Sequence, residues 1–177
     1  MKFISFNHDN SEKFGIIENN LITDLTGKID GASSLKELIK IKKIKEAKEY
    51  AKSNPGSIKP DEIKYSPLIP NPGKIICVGL NYSEHVKETN RTVEENPVIF
   101  HRFPESQTAH MQAIQRPTVS ESLDFEGEMA VVMDEGGKHI KPEDALKHIV
   151  GFSCYNESTI REWQRHTRQF GMGKNFE

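Results

Sequence analysis

The sequence predicts an α+β fold, mostly β, in which a small α+β domain over residues 1–68 precedes a strand-rich domain over residues 74–177. Three observations carry this. Alternating or apolar runs of strand length recur along the chain, at residues 2–6, 14–17, 21–23, 74–79 and 149–155. Only the stretch from Ser34 to Asn54 sustains a helical period, and Pro67, Pro70 and Pro72-Gly73 punctuate the chain between the two regions. At 177 residues there is room for one ordinary domain, or one small and one medium.

The first three runs, with turn residues between them, predict a small antiparallel meander. Ser34-Leu35-Lys36-Glu37 offers a capping box. One helix is expected after it, carrying Leu35, Leu38, Ile39, Ile44, Ala47 and Ala51 inward and stopping at Asn54-Pro55-Gly56. Its six lysines read as solvated faces rather than a binding patch. Residues 74–79 read as a buried strand. The segment Asn81-Tyr82-Ser83-Glu84-His85-Val86-Lys87-Glu88 can form a turn or two of helix begun by Asn81 or Ser83, with His85 and Glu88 on one face. A short strand ending in a loop follows at residues 100–104 and supplies the cation Arg102. Pro142-Glu143-Asp144 opens a short helix. Beyond the strand at 149–155, Ser158 is placed to cap a helix that turns Ile160, Trp163 and Thr167 inward and shows Arg161 and Gln164 on one face.

Composition excludes several classes. With 24 Lys+Arg against 26 Asp+Glu the chain is close to neutral, which argues against nucleic acid or a membrane surface as partner. No apolar run approaches a membrane span, and the start turns polar too soon for a signal peptide, so a cytoplasmic protein is expected. Cys77 and Cys154 sit in apolar runs without metal spacing and read as small core residues.

The chemistry centres on Leu-Asp-Phe-Glu-Gly-Glu-Met-Ala-Val-Val-Met at residues 123–133, read as one strand. Side chains two apart on a strand share a face, so Glu126 and Glu128 stand side by side. Paired carboxylates in a partly buried place need a proton, a cationic side chain or a metal between them, and Gly127 lets another backbone or a ligand come close. The pair therefore reads either as oxygen ligands for a hard divalent cation or as the solvated face of an edge strand. A carboxylate beside an imidazole, as in His85 with Glu88, raises the basicity of the histidine and fixes its orientation, which suits a water-activating base.

Four motifs in order, Val78-Gly79-Leu80-Asn81-Tyr82-Ser83-Glu84-His85, Leu123-Asp124-Phe125-Glu126-Gly127-Glu128, Asn156-Glu157 with Arg161 and Gln164, and Gly173-Lys174-Asn175-Phe176, resemble the fumarylacetoacetate hydrolase family. The resemblance runs from about Lys74 to the end; residues before Pro67 resemble, more weakly, the small N-terminal domain of many bacterial members. It implies a mixed β-roll or barrel-like catalytic domain, usually in a dimer. It also implies metal ligands Glu126, Glu128 and Glu157, the last standing where the family most often has Asp, and a cofactor of Mg²⁺, Mn²⁺ or Ca²⁺. His85, Glu88 and Lys174 match the catalytic residues, and Arg102, Arg161 and Gln164 the substrate-binding ones, with Arg102 where many members have lysine.

The activity so implied is hydrolysis of a carbon–carbon bond in a 2-oxo (β-diketo) acid of the acylpyruvate or fumarylacetoacetate type, toward an enolate stabilised by the cation. The same site without the water step suits oxaloacetate decarboxylation or a 2-hydroxymuconate-type isomerisation. The family's catalytic domain continues past the Lys174 motif, so the chain reads as the first part of an incomplete barrel, acting as a homodimer or with a complementary C-terminal half. A catalytically incomplete fragment or assembly subunit is the alternative of a different class.

Overall fold

A computed structural model describes residues 1–82, 95–134, 136–167 and 169–176. The chain divides into two compact units, each assembled from three segments: residues 1–71, 108–114 and 128–155 in the first, and residues 72–107, 115–127 and 156–177 in the second. Mixed α/β and rich in strands, it carries open sheets and, among the described residues, no closed barrel.

In the first unit β1 (Lys2–His8), β2 (Ser11–Glu18) and β3 (Leu21–Asp24) form the expected meander, and β4 (Lys64–Tyr65) joins the far side of β1 to give the order β3-β2-β1-β4. Both hairpins close through two residues of positive φ, Asp9 and Asn10 (52° and 57°) and Asn19 and Asn20 (51° and 61°). Asn and Asp tolerate this conformation, and its twist matches that of the strands, so these four residues set the register.

The single expected helix is two, α1 (Leu35–Lys40) and α2 (Ile44–Ser53). Lys42, at φ 59°, stops the first in a left-handed C-terminal motif, with Lys43 N donating to Leu38 O at 3.2 Å and Lys42 N to Ile39 O at 2.9 Å. The break resets the helical phase, so that Leu35, Leu38 and Ile39 before it and Ala47 and Ala51 after it all enter one core with Phe14, Ile16, Leu25 and Ile29. Ser34 caps α1 by accepting from Glu37 N, while the Glu37 carboxylate turns to Ser33 rather than closing the box on Ser34.

The expected strand over residues 123–133 is also interrupted. It splits into β7 (Leu123–Asp124) and β8 (Gly127–Met133), which pair with β10 (Thr159–Ile160) and β9 (Ile149–Asn156) respectively. Phe125 and Glu126 form the break between the two strands, and that places Glu126 off the strand. Along β8 exposure alternates, leaving Met129, Val131 and Met133 uncovered, with Phe152 on β9.

In the second unit β5 (Ile75–Gly79) and β6 (Val98–Arg102) pair antiparallel. One face turns Phe100 and Arg102 inward; the other exposes Ile76, Val78 and Ile99, so β5 is half-exposed rather than the buried strand expected. Thr159 and Ile160 are drawn into β10, and the helix that follows, α3 (Arg161–Gln164), begins without a side-chain cap, so Ser158 does not play that part. Ile160 is buried as expected, but Thr167 is exposed, because α3 ends before reaching it. A last short helix, α4 (Gly171–Lys174), follows Phe170, whose ring meets that of Phe100 edge-on at 5.7 Å. Cys154 is exposed and Cys77 partly so, and neither is a core residue, since each lies on a two-stranded sheet open to solvent. Residues 142–148 form a 3-10 turn, and no helix among the described residues is long and apolar enough to cross a membrane.

Candidate functional site

The short β7–β10 pair organises the site. Its register sets Asp124 opposite Thr159 and Leu123 opposite Ile160, and Arg161 extends it by donating its N–H to Ser122 O at 3.1 Å. Where the chain leaves β7, Glu126 is fixed by its backbone: its N–H donates to Asn156 Oδ1 at 3.1 Å, and its carbonyl accepts from Glu157 N at 2.8 Å. Glu126 and Glu157 thus come from segments about thirty residues apart yet are tied main chain to main chain. Glu128 stands two residues along from Glu126. Each of the three carboxylates offers an oxygen, and these oxygens lie within 4.8 Å of one another.

Three cations meet this cluster. Arg161 spans two acids, with Nε donating to Asp124 Oδ2 at 2.7 Å and Nη1 to Glu126 Oε1 at 2.7 Å, and Nη1 also reaches Gln164 Oε1 at 3.2 Å. Lys174 Nζ lies 2.9 Å from Glu126 Oε1, 3.2 Å from Glu157 Oε1 and 3.3 Å from Glu157 O, and its charge sits 5.4 Å from the centre of the Phe100 ring. Arg102 Nη1 reaches Glu157 Oε1 at 3.2 Å and Ser158 O at 3.0 Å. Arg102, Glu157 and Lys174 are buried, at 4%, 6% and 1% exposure, a depth at which unpaired charges are not tolerated. Burial is the largest influence on the Glu157 carboxyl and pushes it above the ordinary glutamate range; the Lys174 and Arg102 charges oppose the shift and the Glu126 charge adds to it.

Close packing sets Lys174 in place. A side chain at Gly173 would stand 2.3 Å from Gln164 N and 2.5 Å from Ile160 O, so only glycine lets α4 approach this near, and Thr159 Oγ1 donates to Gly173 O at 3.1 Å. Asn175 then ties α4 to the end of β6, its Oδ1 accepting from Phe103 N at 2.8 Å and its Nδ2 donating to His101 O at 3.2 Å. A side chain at Gly127, by contrast, would meet nothing within 4 Å, so the close approach expected there is not made by any described residue.

Of the residues singled out from sequence, Glu126, Glu128, Glu157, Lys174, Arg102, Arg161 and Gln164 come together at this place. His85 and Glu88 lie outside the described residues. Sequence reading gave no role to Asp124, Asn156 or Asn175, although all three stand inside the quoted motifs; a polar residue beside each proposed functional one was the available signal. Three carboxylates offer a hard donor set suited to Mg²⁺, Mn²⁺ or Ca²⁺, whose oxygen ligands lie at about 2.0–2.6 Å. Their spacing is close enough for small side-chain movements to bring them onto one such ion, so the residues fit that group.

The family description "Fumarylacetoacetate (FAA) hydrolase C-terminal" matches residues 74–177. Among curated proteins, the mitochondrial oxaloacetate tautomerase Fahd2a of Rattus norvegicus is 38% identical over 117 residues, which cover 66% of this chain and 37% of the relative. The mitochondrial oxaloacetate tautomerase fahd2 of Xenopus laevis is 37% identical over 133 residues, covering 74% and 42%. Among solved structures, the fumarylacetoacetate hydrolase of the psychrophilic Exiguobacterium antarcticum superposes with a TM-score of 0.83 at 29% identity, over 100% of this chain and 62% of that one. A maleylpyruvate hydrolase from Sphingobium sp. SYK-6, in complex with manganese(II) ion and pyruvate, shares the fold at a TM-score of 0.76 and 17% identity, over 98% of this chain and 63% of that one. The chain therefore spans about two fifths of the length of these curated relatives.

Proposed function

The chain belongs to the fumarylacetoacetate hydrolase family, and from that premise we propose that its residues 74–177 form the catalytic part of a divalent-cation-dependent enzyme acting on 2-oxo acids, with residues 1–68 as a small accessory domain. The observation that carries this reading is the convergence of the Glu126, Glu128 and Glu157 carboxylates within 4.8 Å. Bound there, a hard divalent ion supplies positive charge to the keto oxygen and carboxylate of the substrate.

The chain's own residues do the rest. His85 and Glu88 are the pair assigned to take a proton from the attacking water. Arg161 and Gln164, adjacent on α3, present hydrogen bonds to the substrate's carboxylate and to negative charge developing on its oxygens, and Arg102 adds charge from beneath. The outcome is hydrolysis of the carbon–carbon bond of an acylpyruvate-type substrate. Likeness to proteins named oxaloacetate tautomerases, at 36–38% identity, favours a second reading, proton movement on oxaloacetate at the same site without the water step.

The working form is a cytoplasmic homodimer. The uncovered Ile76, Val78 and Ile99 on β5 and β6 support such association. The test is titration calorimetry with Mn²⁺, together with turnover of an acylpyruvate and of oxaloacetate in Mg²⁺. One Mn²⁺ per chain is expected, lost in Glu126→Gln along with turnover; equal affinity in that variant refutes the ligand assignment.

A further inference from the structure

A helix of four residues such as α3 cannot hold itself, because a single turn leaves its first N–H groups without partners inside it. Ile160, which stands at its N-terminal end, has no side chain that can cap it. The first two N–H groups of α3 go instead to one serine about forty residues earlier in the chain. Arg161 N donates to Ser122 O at 3.1 Å and Glu162 N to Ser122 Oγ at 3.3 Å. A hydroxyl that accepts from the second residue of a helix does the work of an N-cap, here delivered from another segment.

Ser122 is itself fixed. Its N–H donates to Ser120 Oγ at 3.1 Å, and the two hydroxyls lie 3.2 Å apart. Ser120 is buried, and among the described residues its hydroxyl proton has Ser122 Oγ as its one acceptor. Arg116 Nη1 donates to Ser120 O, and Ser120 N donates to Pro117 O at 3.1 Å. Residues 116–122 thus form a braced strap whose last residue grips the start of α3. The carboxylate cluster is held by other bonds: Glu126 by Asn156 and by the N–H of Glu157, and Glu157 by Arg102 and Lys174.

Resting on the reading of Arg161 and Gln164 as substrate-binding residues, we propose that Ser122 is a positioning residue for the 2-oxo acid: its carbonyl and hydroxyl fix where α3 begins, and the strap from Arg116 through Ser120 fixes Ser122. It acts on the substrate through α3. Because the carboxylates do not depend on it, removing the hydroxyl loosens the substrate-binding helix and leaves the cation site intact.

The experiment compares wild type, Ser122→Ala and Ser122→Thr as full chains, by calorimetry with Mn²⁺ and by KM and kcat for an acylpyruvate and for oxaloacetate at saturating Mn²⁺. Ser122→Ala is expected to raise KM about three- to tenfold, the worth of one cap bond, with Mn²⁺ affinity unchanged. Ser122→Thr, which keeps the hydroxyl, is expected to restore KM. An unmoved KM in Ser122→Ala, an Mn²⁺ affinity that falls along with it, or a KM still raised in Ser122→Thr overturns the inference and leaves the substrate reading standing. A wild type that binds Mn²⁺ but turns over neither compound overturns the substrate reading, and this role with it. If Ser122→Ala does not fold, Ser122→Cys, whose sulfur is a weaker acceptor, is measured in its place with the same expected split between KM and Mn²⁺ affinity.

Discussion

Replacing Gly173 by alanine tests how the site is held, because local and tertiary effects have opposite signs there. In a helix, Gly→Ala is ordinarily stabilising by about 0.8–1 kcal/mol. At Gly173 the new Cβ would stand 2.3 Å from Gln164 N, 2.5 Å from Ile160 O and 2.6 Å from Gln164 Cα, all of them backbone atoms that cannot swing aside. Ordinary carbon contacts lie near 3.5–4.0 Å, so α4 must retreat by about 1 Å. A retreat of that size stretches the 2.9 Å contact of Lys174 with Glu126 beyond hydrogen-bonding range. Overpacking of this kind costs about 1–3 kcal/mol, and loss of the Lys174 contact adds to it, so a net destabilisation of about 2 kcal/mol is expected after the propensity gain. For a chain of this size that lowers Tm by about 4–8 °C. Gly171→Ala is the control in the same helix, since its Cβ would meet nothing within 4 Å, and it should leave Tm unchanged or slightly raised. Thermal unfolding followed by circular dichroism reads both. Equal Tm values for the two variants would refute the packing argument.

Two further outcomes follow from the geometry and the charges. Arg161→Lys keeps the charge but loses the fork that spans Asp124 and Glu126, so a loss of about 1 kcal/mol is expected in urea unfolding, reduced from the buried-pair range because the site is partly exposed; an unchanged midpoint and slope would show that one ammonium serves as well. Glu157, with its carboxyl raised chiefly by burial, holds its proton to higher pH in the folded chain than in the unfolded one. Its charged form therefore weighs against folding as pH rises through the raised value. Mn²⁺, which needs the carboxylate, competes with that proton, so its affinity is expected to fall as the medium becomes more acidic. Calorimetry across a pH series checks this, and an Mn²⁺ affinity that does not change with pH counts against it.

The sequence by itself determined the kind of elements, the meander and the identity of the acids and cations, because side-chain chemistry, turn residues such as Asp9-Asn10 and Asn19-Asn20, and strand-length apolar runs are local properties. It also brought Glu126 and Glu128 together, since residues two apart are neighbours in any extended chain. Only the tertiary structure decided that residues 123–133 are shared between two sheets, that Lys42 breaks one helix into two, and that Ser158 lies in the two-residue link between β9 and β10 instead of capping α3. Each of these depends on which distant segment offers hydrogen bonds or a core, and local pattern carries no record of that choice. The same holds for the site's electrostatics: that Lys174 lies buried against both Glu126 and Glu157 follows from distances fixed by Gly173 and by the tie between Glu126 and Glu157, across segments far apart in the chain.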